Sequence, residues 1–537
     1  MKNINKLICG LGVAVLGLAT FTSCEEETHP TSYATVDQMA QSSSATEALL
    51  SAIPASLNSH WQPKINVGYS WGYGSLMKIR DIMTGDYTNV ESDYDHYGAW
   101  AQCFYIGKGY LATQFVWNYY WSMVLTTNNL ISGIDASKAT SEQLGFLGVG
   151  YAERAFMYLD MARMYEFLPN EKYPDGKNEN GKVVTNLTVP IVKAGMSEDS
   201  ARVNPRATRE KMAEFILGDL DKAEQYIGNL TDNRAKTLPN LACVYGLKAR
   251  CYMWLEDYAQ AKVYARKAID ASGLTPMTQA QALNPTTGFN TADPWMWAST
   301  LTAENATVQT GILNWVSWMS NETQWGYASA GPQSMISKSV YDRISDTDWR
   351  KLEWKAPDDS PLASQVPFLN STYKQLIPTY GSIKFRPGNG NDADGTVGNV
   401  VSYPLMRVEE MYLIEAEAAA HQDVAEGKKL IENFMKNYRD AKYVCKANSK
   451  DALVDEIVFQ KRVELWGEGQ SFFDIKRLNY SVTRGYDGTN FYPLCRFNTN
   501  GRPAWMNFVI VQTEENNNAA VNGWNNPDPS DKYTPVQ

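Results

Sequence analysis

Residues 245–269 read YGLKARCYMWLEDYAQAKVYARKAI, and this stretch predicts two consecutive helices that pack closely together. Small residues at helical spacing let two helices approach each other, and tyrosines between them fill the remaining space. The residues in question are Ala249, Ala261, Ala268, Tyr252 and Tyr258. The spacing matches a tetratricopeptide repeat, except that Ala265 stands where Phe or Tyr is usual. We therefore expect a mostly helical fold.

Helical patterning continues on both sides of this pair. It begins near Thr46, and Thr140 to Glu142 form a plausible helix cap. The further predicted helices cover residues 115–131, 141–167, 209–227, 240–272, 406–421, 424–438 and 449–465. A short strand is expected within 186–190, and strand positions are one interpretation of Trp295, Trp297, Trp315 and Trp318.

Two stretches, 58–109 and 273–404, are predicted to be loop-rich. They carry many Gly, Asn and aromatic residues and show no sustained helical period. Loops of this length inside a compact domain are usually functional. We therefore expect the helix pairs to bracket two irregular regions that face a ligand.

The N-terminus has the layout of an export signal. Lys2 and Lys6 precede an uncharged apolar run over 7–19, which is too short for a stable membrane span. Small residues then lead directly to Cys24, as in a bacterial lipoprotein signal; an ordinary signal peptide with a chance cysteine is the alternative. We expect residues 1–23 to be removed and Cys24 to carry the acyl chains.

The residues after Cys24 predict where the protein is held. The acidic triplet 25–27 resembles the export tag of surface lipoproteins, and residues 24–45 are polar enough to form a tether. Residues 46–537 are then expected to form a single domain. The predicted location is the outer membrane, lipid-anchored and facing outward.

Composition excludes several classes of function. The net charge is −10 and there is no basic run, which argues against nucleic acid as a partner. Four histidines without paired spacing argue against a zinc site, and no nucleotide or dinucleotide motif occurs. We expect no cofactor and no metal at the site, while a structural metal stays open.

The cysteines also show no shared pattern. Beyond Cys24, the mature chain has five scattered cysteines, so a disulfide framework is not expected, although one disulfide stays open. Cys243 and Cys251 lie in a predicted helix and should be buried.

Charged residues cluster in two segments, 404–418 and 456–478. We expect Arg462 to pair with Glu464 and Glu468, and Asp474 to pair with Arg477. In the favoured interpretation these ions belong to the scaffold; in the alternative, Glu464 and Glu468 are an acid–base pair. The predicted motif residues are Arg407, Glu409, Glu417, Arg462, Glu464, Glu468, Asp474 and Arg477.

The chain is unusually aromatic, with sixteen Trp and thirty-one Tyr. Flat rings with a polar tip suit surfaces that bind sugars. Aromatics at helical spacing, such as Trp117 and Tyr120, should be core. Those in polar, glycine-rich loops are the ligand-binding candidates, unless each one fills its own loop: Trp71, Tyr73, Tyr97, Trp100, Trp325 and Tyr327.

Four further segments accompany the repeat and the charged segments above: YAERAFMYLD at 151–160, TVPIV at 188–192, DTDWR at 346–350 and NNP at 525–527. Together these segments resemble the SusD/RagB family of surface glycan-binding lipoproteins. Gln470, where a basic residue is common, and Asp528, where glycine is usual, depart from the family pattern. The resemblance covers nearly the whole mature chain.

The resemblance implies a helical body of four tetratricopeptide-like helix pairs with a more irregular half facing the ligand. It implies capture of oligosaccharides or polysaccharides and their delivery to a TonB-dependent, SusC-like transporter, without catalysis. The family's ligand residues do not carry over, because they differ with the glycan. The alternatives are a surface glycoside hydrolase and an assembly scaffold that binds only proteins, and a peptide or glycopeptide cargo stays open.

Overall fold

The computed structural model describes residues 43–60, 67–286 and 288–537. The predicted signal peptide, the predicted lipid attachment at Cys24 and the acidic triplet lie outside the described residues. Ten helices of at least ten residues occur within these ranges: α1 Ser43–Leu57, α2 Tyr73–Ile82, α3 Leu111–Ser132, α4 Ser141–Tyr165, α5 Arg209–Tyr226, α6 Leu241–Leu255, α7 Tyr258–Ser272, α8 Val408–Gln422, α9 Val424–Tyr438 and α10 Lys450–Glu464.

The predicted helices outside the loop-rich stretches are confirmed, with one adjustment. Because α1 begins at Ser43, the last three residues of the predicted tether are helical. The two consecutive helices predicted from residues 245–269 are α6 and α7: Glu256 ends α6 in a left-handed conformation at φ 61°, and Asp257 caps α7. Thr140 caps α4 as predicted: its hydroxyl accepts from the Gln143 amide, whose side chain accepts from the Thr140 amide.

The long helices from α4 onward pack against each other in chain order. The alanines of residues 245–269 let α7 approach its neighbours closely. Helix α7 packs on both α6 and α8. Ala261, Ala265 and Ala268 are fully buried on α7, so no ring at position 265 is needed to fill this contact. Tyr252 and Tyr264 stack across α6 and α7 with their centroids 5.5 Å apart.

Three antiparallel strand pairs tie distant parts of the chain together. β2 (Leu187–Pro190), which confirms the predicted strand, pairs with β3 (Arg206–Thr208). β1 (Tyr87–Asn89) pairs with β5 (Ser334–Ile336), and β4 (Trp297–Thr300) with β6 (Ser402–Met406). The β1–β5 pair joins the two loop-rich stretches to each other.

Short helices fill much of the remaining chain. Those of four to seven residues are Gly98–Ala101, Glu198–Ala201, Gln279–Ala282, Ala306–Gln309, Trp315–Met319, Tyr327–Ala330, Lys338–Arg343, Ser371–Leu376, Gly395–Gly398, Ser471–Arg477 and Gln512–Asn517. Single 3-10 turns occur at Ile227–Asn229, Trp349–Glu353, Gly388–Gly390, Pro493–Cys495 and Ala504–Met506.

The prediction that 58–109 is loop-like was wrong for α2. All ten residues of this helix are buried, although Lys78, Arg80 and Asp81 are charged. Its interior charges find partners far along the chain: Arg80 donates to Asp160 and to the Gly469 carbonyl, at 2.9 Å each. The strand interpretation of Trp315 and Trp318 was also wrong, because both lie on a buried helical turn.

Five cysteines, Cys103, Cys243, Cys251, Cys445 and Cys495, are unpaired and buried in the described part of the chain. Burial of Cys243 and Cys251 in α6 was predicted. The disulfide that the sequence left open is not formed among them.

The Glu153 carboxyl group on α4 is buried without hydrogen-bond partners among the described residues. This predicts that the stability of the fold depends on pH. Glu153 as a whole is fully buried. Burial raises the pKa of Glu153 well above its usual value. The unfolded chain therefore loses this proton at lower pH than the folded chain, and stability falls as pH rises above the unfolded pKa.

We expect Glu153→Gln to unfold at a higher temperature than the parent at pH 8, with a smaller advantage at pH 5. The amide keeps the shape of the neutral acid and needs no proton. Differential scanning fluorimetry of both proteins across this range checks it. An equal advantage at both pH values would show that Glu153 does not titrate in this way.

Candidate functional site

The structure buries four of the six aromatic residues predicted to bind ligand. Trp71, Tyr73, Tyr97 and Trp100 are each no more than 2% exposed. A sugar needs an open ring face to stack on, so the prediction was wrong for these four residues in this conformation. Gly and Asn neighbours signal a loop in the sequence, but they carry no information about which side of the loop faces water.

These four rings are core residues with fixed polar tips. The Trp71 indole donates to the Tyr97 hydroxyl at 2.8 Å. The Tyr73 hydroxyl donates to Asp160 at 2.6 Å. The Trp100 ring meets Tyr69 edge-on with centroids 4.9 Å apart. They hold the chain beneath the surface rather than forming part of it.

Tyr327, the fifth candidate, is half-buried and rests on this core. Its ring stacks on Trp318 with centroids 4.5 Å apart and planes within 12°. Tyr97 in turn meets Trp318 edge-on at 5.0 Å. The exposed His96 packs against Tyr327 at 5.2 Å. A stack of rings therefore runs from the core to the surface and fixes the orientation of Tyr327.

A buried lysine lies beneath the same stack. The Lys78 ammonium lies 5.2 Å from the Tyr97 ring centroid and donates to the Trp318 carbonyl at 3.3 Å. Burial lowers the pKa of Lys78 to about 7, while Asp95 and Asp81 oppose that shift. The contact to its carbonyl helps hold Trp318 under Tyr327.

Trp325, the sixth candidate, is also half-buried. Its ring packs against the short helix Gly395–Gly398. Its indole donates to the Asn399 side chain at 3.2 Å, and Asn399 donates to the Gly311 carbonyl at 3.0 Å. A Cβ at Gly398 would lie 2.3 Å from the Trp325 ring, so only glycine allows this approach. The ring is thus fixed from behind.

Polar side chains flank Trp325 on one side. The exposed Gln324 donates from its backbone amide to the Asp392 carbonyl at 2.9 Å and from its side-chain amide to the Asp392 carboxylate at 3.5 Å. The Asp392 carboxylate accepts from the Tyr373 hydroxyl at 2.8 Å and from the Asn370 amide at 3.3 Å. These groups offer the donors and acceptors that sugar hydroxyls use.

Tyr94 extends the surface on the side of Tyr327. It is 59% exposed, and its ring comes within 3.6 Å of where a Cβ would stand on Gly331, at the end of the turn that carries Tyr327. The sequence did not single out Tyr94 or His96 as ligand candidates. Both stand in the polar run ESDYDHY, which is a weak signal at best.

We call this region the Trp325 surface and define it as Tyr94, His96, Gln324, Trp325, Tyr327 and Asp392. It combines partly open rings held from behind with carboxamide, carboxylate and imidazole groups. Such an arrangement can stack on the C–H faces of a sugar and bond its hydroxyls.

The predicted charged motif forms a buried ion cluster. Glu464 accepts from Arg439 at 2.7 Å, from Arg350 at 3.0 Å and from Arg407 at 3.1 Å. Glu468 accepts from Arg407 and Lys384, at 2.9 Å each. We call Arg350, Lys384, Arg407, Arg439, Glu464 and Glu468 the Glu464 cluster.

The remaining motif residues extend or adjoin this cluster. Arg407 also pairs with Glu409 at 2.9 Å. Arg477 pairs with Asp474, as predicted, and with Glu417. The predicted pairing of Arg462 with Glu464 and Glu468 was wrong: Arg462 pairs with Asp86. Residues close along a helix were the only partners that the sequence could suggest.

The Glu464 cluster is inaccessible to a substrate. Glu464 and Glu468 are at most 5% exposed. Burial by itself raises the pKa of Glu464, but the guanidinium groups of Arg439, Arg407 and Arg350 outweigh it and hold the pKa well below its usual value. A carboxylate that keeps its charge is a poor general acid, so the acid–base interpretation of this pair fails.

In the described part of the chain, no three His, Cys, Asp or Glu side chains are grouped so that they could hold a metal ion. Over the same residues, no helix has the length and apolar character needed to cross a membrane.

Comparison with solved structures defines the fold as SusD-like. A SusD-like carbohydrate binding protein from Bacteroides vulgatus matches with a TM-score of 0.68 at 22% identity, covering 90% of this chain and 97% of that one. A SusD superfamily protein from Bacteroides thetaiotaomicron matches with a TM-score of 0.66 at 18% identity, covering 90% and 99%. A laminarin binding SusD-like protein matches with a TM-score of 0.57 at 16% identity, covering 81% and 91%.

Comparison of sequences agrees with the fold. Residues 270–536 match the family model described as the SusD family. The SusD-like protein P38 of Formosa agariphila is 22% identical over 410 residues, which cover 68% of this chain and 72% of that protein. Residues 270–536 thus match the SusD family and the fold is SusD-like, which confirms the predicted resemblance.

Proposed function

We propose that this protein binds a glycan at the Trp325 surface and does not transform it. The observation that carries the proposal is the pair of half-buried rings, Trp325 and Tyr327, each held from behind with part of its surface open. Similarity to structures described as carbohydrate binding and laminarin binding supports it. The contacts are few, so we expect affinities from micromolar to millimolar.

We further propose that binding serves uptake. The mature protein is anchored to the outer membrane through lipid on Cys24, faces outward, and passes oligosaccharides to a TonB-dependent, SusC-like transporter. Support comes from the lipoprotein-type signal at 1–24 and from the match of residues 270–536 to the SusD family. Modest affinity suits this role, because the glycan has to be released again.

Replacing Trp325 by alanine is expected to weaken glycan binding about 5- to 150-fold. Loss of one stacked ring costs about 1–3 kcal/mol, on the scale measured for nucleic-acid bases on aromatic side chains. Affinity gel electrophoresis and calorimetry with laminarin, starch, inulin and chondroitin sulfate would measure it. We expect circular dichroism to show the parent fold.

Trp524→Ala is the matched control. Trp524 is 38% exposed, lies beside Lys182 and is not one of the residues that define the Trp325 surface. If Trp325→Ala binds every glycan as the parent does, or if Trp524→Ala loses as much, the site lies elsewhere. Release of new reducing ends from any of the four glycans by the parent would instead identify a glycoside hydrolase.

A further inference from the structure

A second group of exposed rings lies at the far end of the segment that carries Tyr94. Tyr105 is 55% exposed and Tyr110 is 42% exposed, and their ring centroids are 5.0 Å apart with planes tilted by 47°. The half-buried Phe104 meets Tyr105 edge-on at 4.6 Å. We call these three residues the Tyr105 surface. Neither tyrosine hydroxyl has a hydrogen-bond partner among the described residues.

Both tyrosines occupy backbone positions that favour other residues. Tyr105 has a φ of 56°, in the left-handed region that suits Gly or Asn and strains a bulky side chain. Tyr110 is the N-cap of α3, where Ser, Thr, Asp or Asn would accept a bond from the helix; its side chain makes none. Each ring therefore costs local stability.

Packing offsets only part of this cost, because about half of each residue stays open to solvent. A residue that is disfavoured in its backbone conformation or cap position, with little gain in packing, more often marks a functional position than a defect. Two adjacent positions with this property, carrying rings in contact with each other, indicate one binding surface. The free hydroxyls at the ring tips are available to a polar ligand.

The size of the Tyr105 surface favours a sugar over a protein. An aromatic side chain buries about 150–250 Å² at most, so two open rings cover less than the roughly 800 Å² that each partner gives to a stable protein interface. One or two sugar rings match that size. Their C–H faces would lie on the tyrosine rings, and their hydroxyls would bond the free phenols.

We propose that the Tyr105 surface is a second glycan contact, and that one long glycan chain bridges it and the Trp325 surface. This inference rests on the proposed function. Tyr94 and Tyr105 are eleven residues apart, so the backbone between them spans at most about 40 Å. The helical turn Gly98–Ala101 shortens that reach further. A glycan bound at one surface has a high effective concentration at the other surface. Affinity should therefore rise with glycan length.

Two variants remove the rings without endangering the fold. Tyr105→Asn suits the left-handed backbone, and Tyr110→Ser supplies the missing N-cap, so both should melt at or above the parent temperature. The probes are the four polysaccharides named above and an oligosaccharide ladder prepared from whichever of them the parent binds. We expect unchanged affinity for the shortest oligosaccharides and at least about tenfold weaker binding of the polysaccharide.

Trp325→Ala in the same series separates this inference from the proposed function. It should weaken binding at every glycan length, whereas the tyrosine variants should reduce only the increase in affinity with glycan length. Variants that keep the parent's rise overturn the second contact and leave the proposed function standing. If the tyrosine variants instead keep the increase in affinity with glycan length but lose a co-purifying protein, that result would assign the Tyr105 surface to protein docking and refute the second glycan contact. If the parent binds none of the four polysaccharides, both proposals fail.

Discussion

Glu464→Ala is expected to lower the free energy of unfolding by about 3–5 kcal/mol. Glu464 is the carboxylate shared by Arg350, Arg407 and Arg439, and all four side chains are buried. Removing one partner of a buried ion pair leaves the others desolvated and unneutralised, which costs far more than the intact pair contributes. Urea unfolding followed by tryptophan fluorescence would measure the loss.

The matched control is Glu198→Ala, which breaks an exposed pair with Arg202 one helical turn away. An exposed pair of this kind contributes less than about 1 kcal/mol. We expect both variants, once folded, to bind glycan as the parent does. A Glu464→Ala protein that unfolds like the parent but no longer binds would show that the Glu464 cluster serves the ligand, not the scaffold.

Cys24→Ala is expected to release the protein completely from the outer membrane. If the thiol carries the acyl chains, it is the attachment point, and each buried methylene contributes about 0.8 kcal/mol to membrane binding. Fractionation of cells, together with metabolic labelling by a palmitate analogue, would follow both the location and the lipid. We expect the label to vanish and the protein to appear in the soluble fractions.

Cys9→Ala is the control for this experiment, because Cys9 lies within the apolar run of the signal and should leave lipidation intact. Retention of labelled Cys24→Ala protein in the membrane would refute the lipoprotein interpretation. Loss of label with continued membrane retention would point to a second attachment, such as a tight complex with the transporter.

The sequence predicted the long helices because their signals are local. Thr140 and Gln143 cap α4 within four residues, and the alanines of α7 recur at helical spacing. Helix α2 was missed because it is short, and its Gly, Ser and charged residues are typical of a loop. Its charged residues looked like loop residues, although their partners stand elsewhere in the chain.

The candidate site was predictable only in part, for the same reason. Trp71, Trp100 and Trp325 have similar polar, glycine-containing neighbours, yet only Trp325 keeps part of its ring open. Which face of a loop meets the core depends on contacts such as those of Trp318, which no local pattern encodes. The partner of Arg462 was missed likewise, because Asp86 lies 376 residues away.

The contacts of α2 and β1 have a consequence for how the chain folds. Arg80 donates to the Gly469 carbonyl, Trp466 to the Asp86 carbonyl, and Arg484 to the Thr84 carbonyl, so an early segment is completed by a late one. Such pairings give the protein a high contact order, and each loop must close before it yields any stabilisation. While the ribosome is still making the chain, residues 73–89 lack these partners. If the protein is exported as proposed above, this delay is an advantage, because the chain stays unfolded long enough to cross the inner membrane.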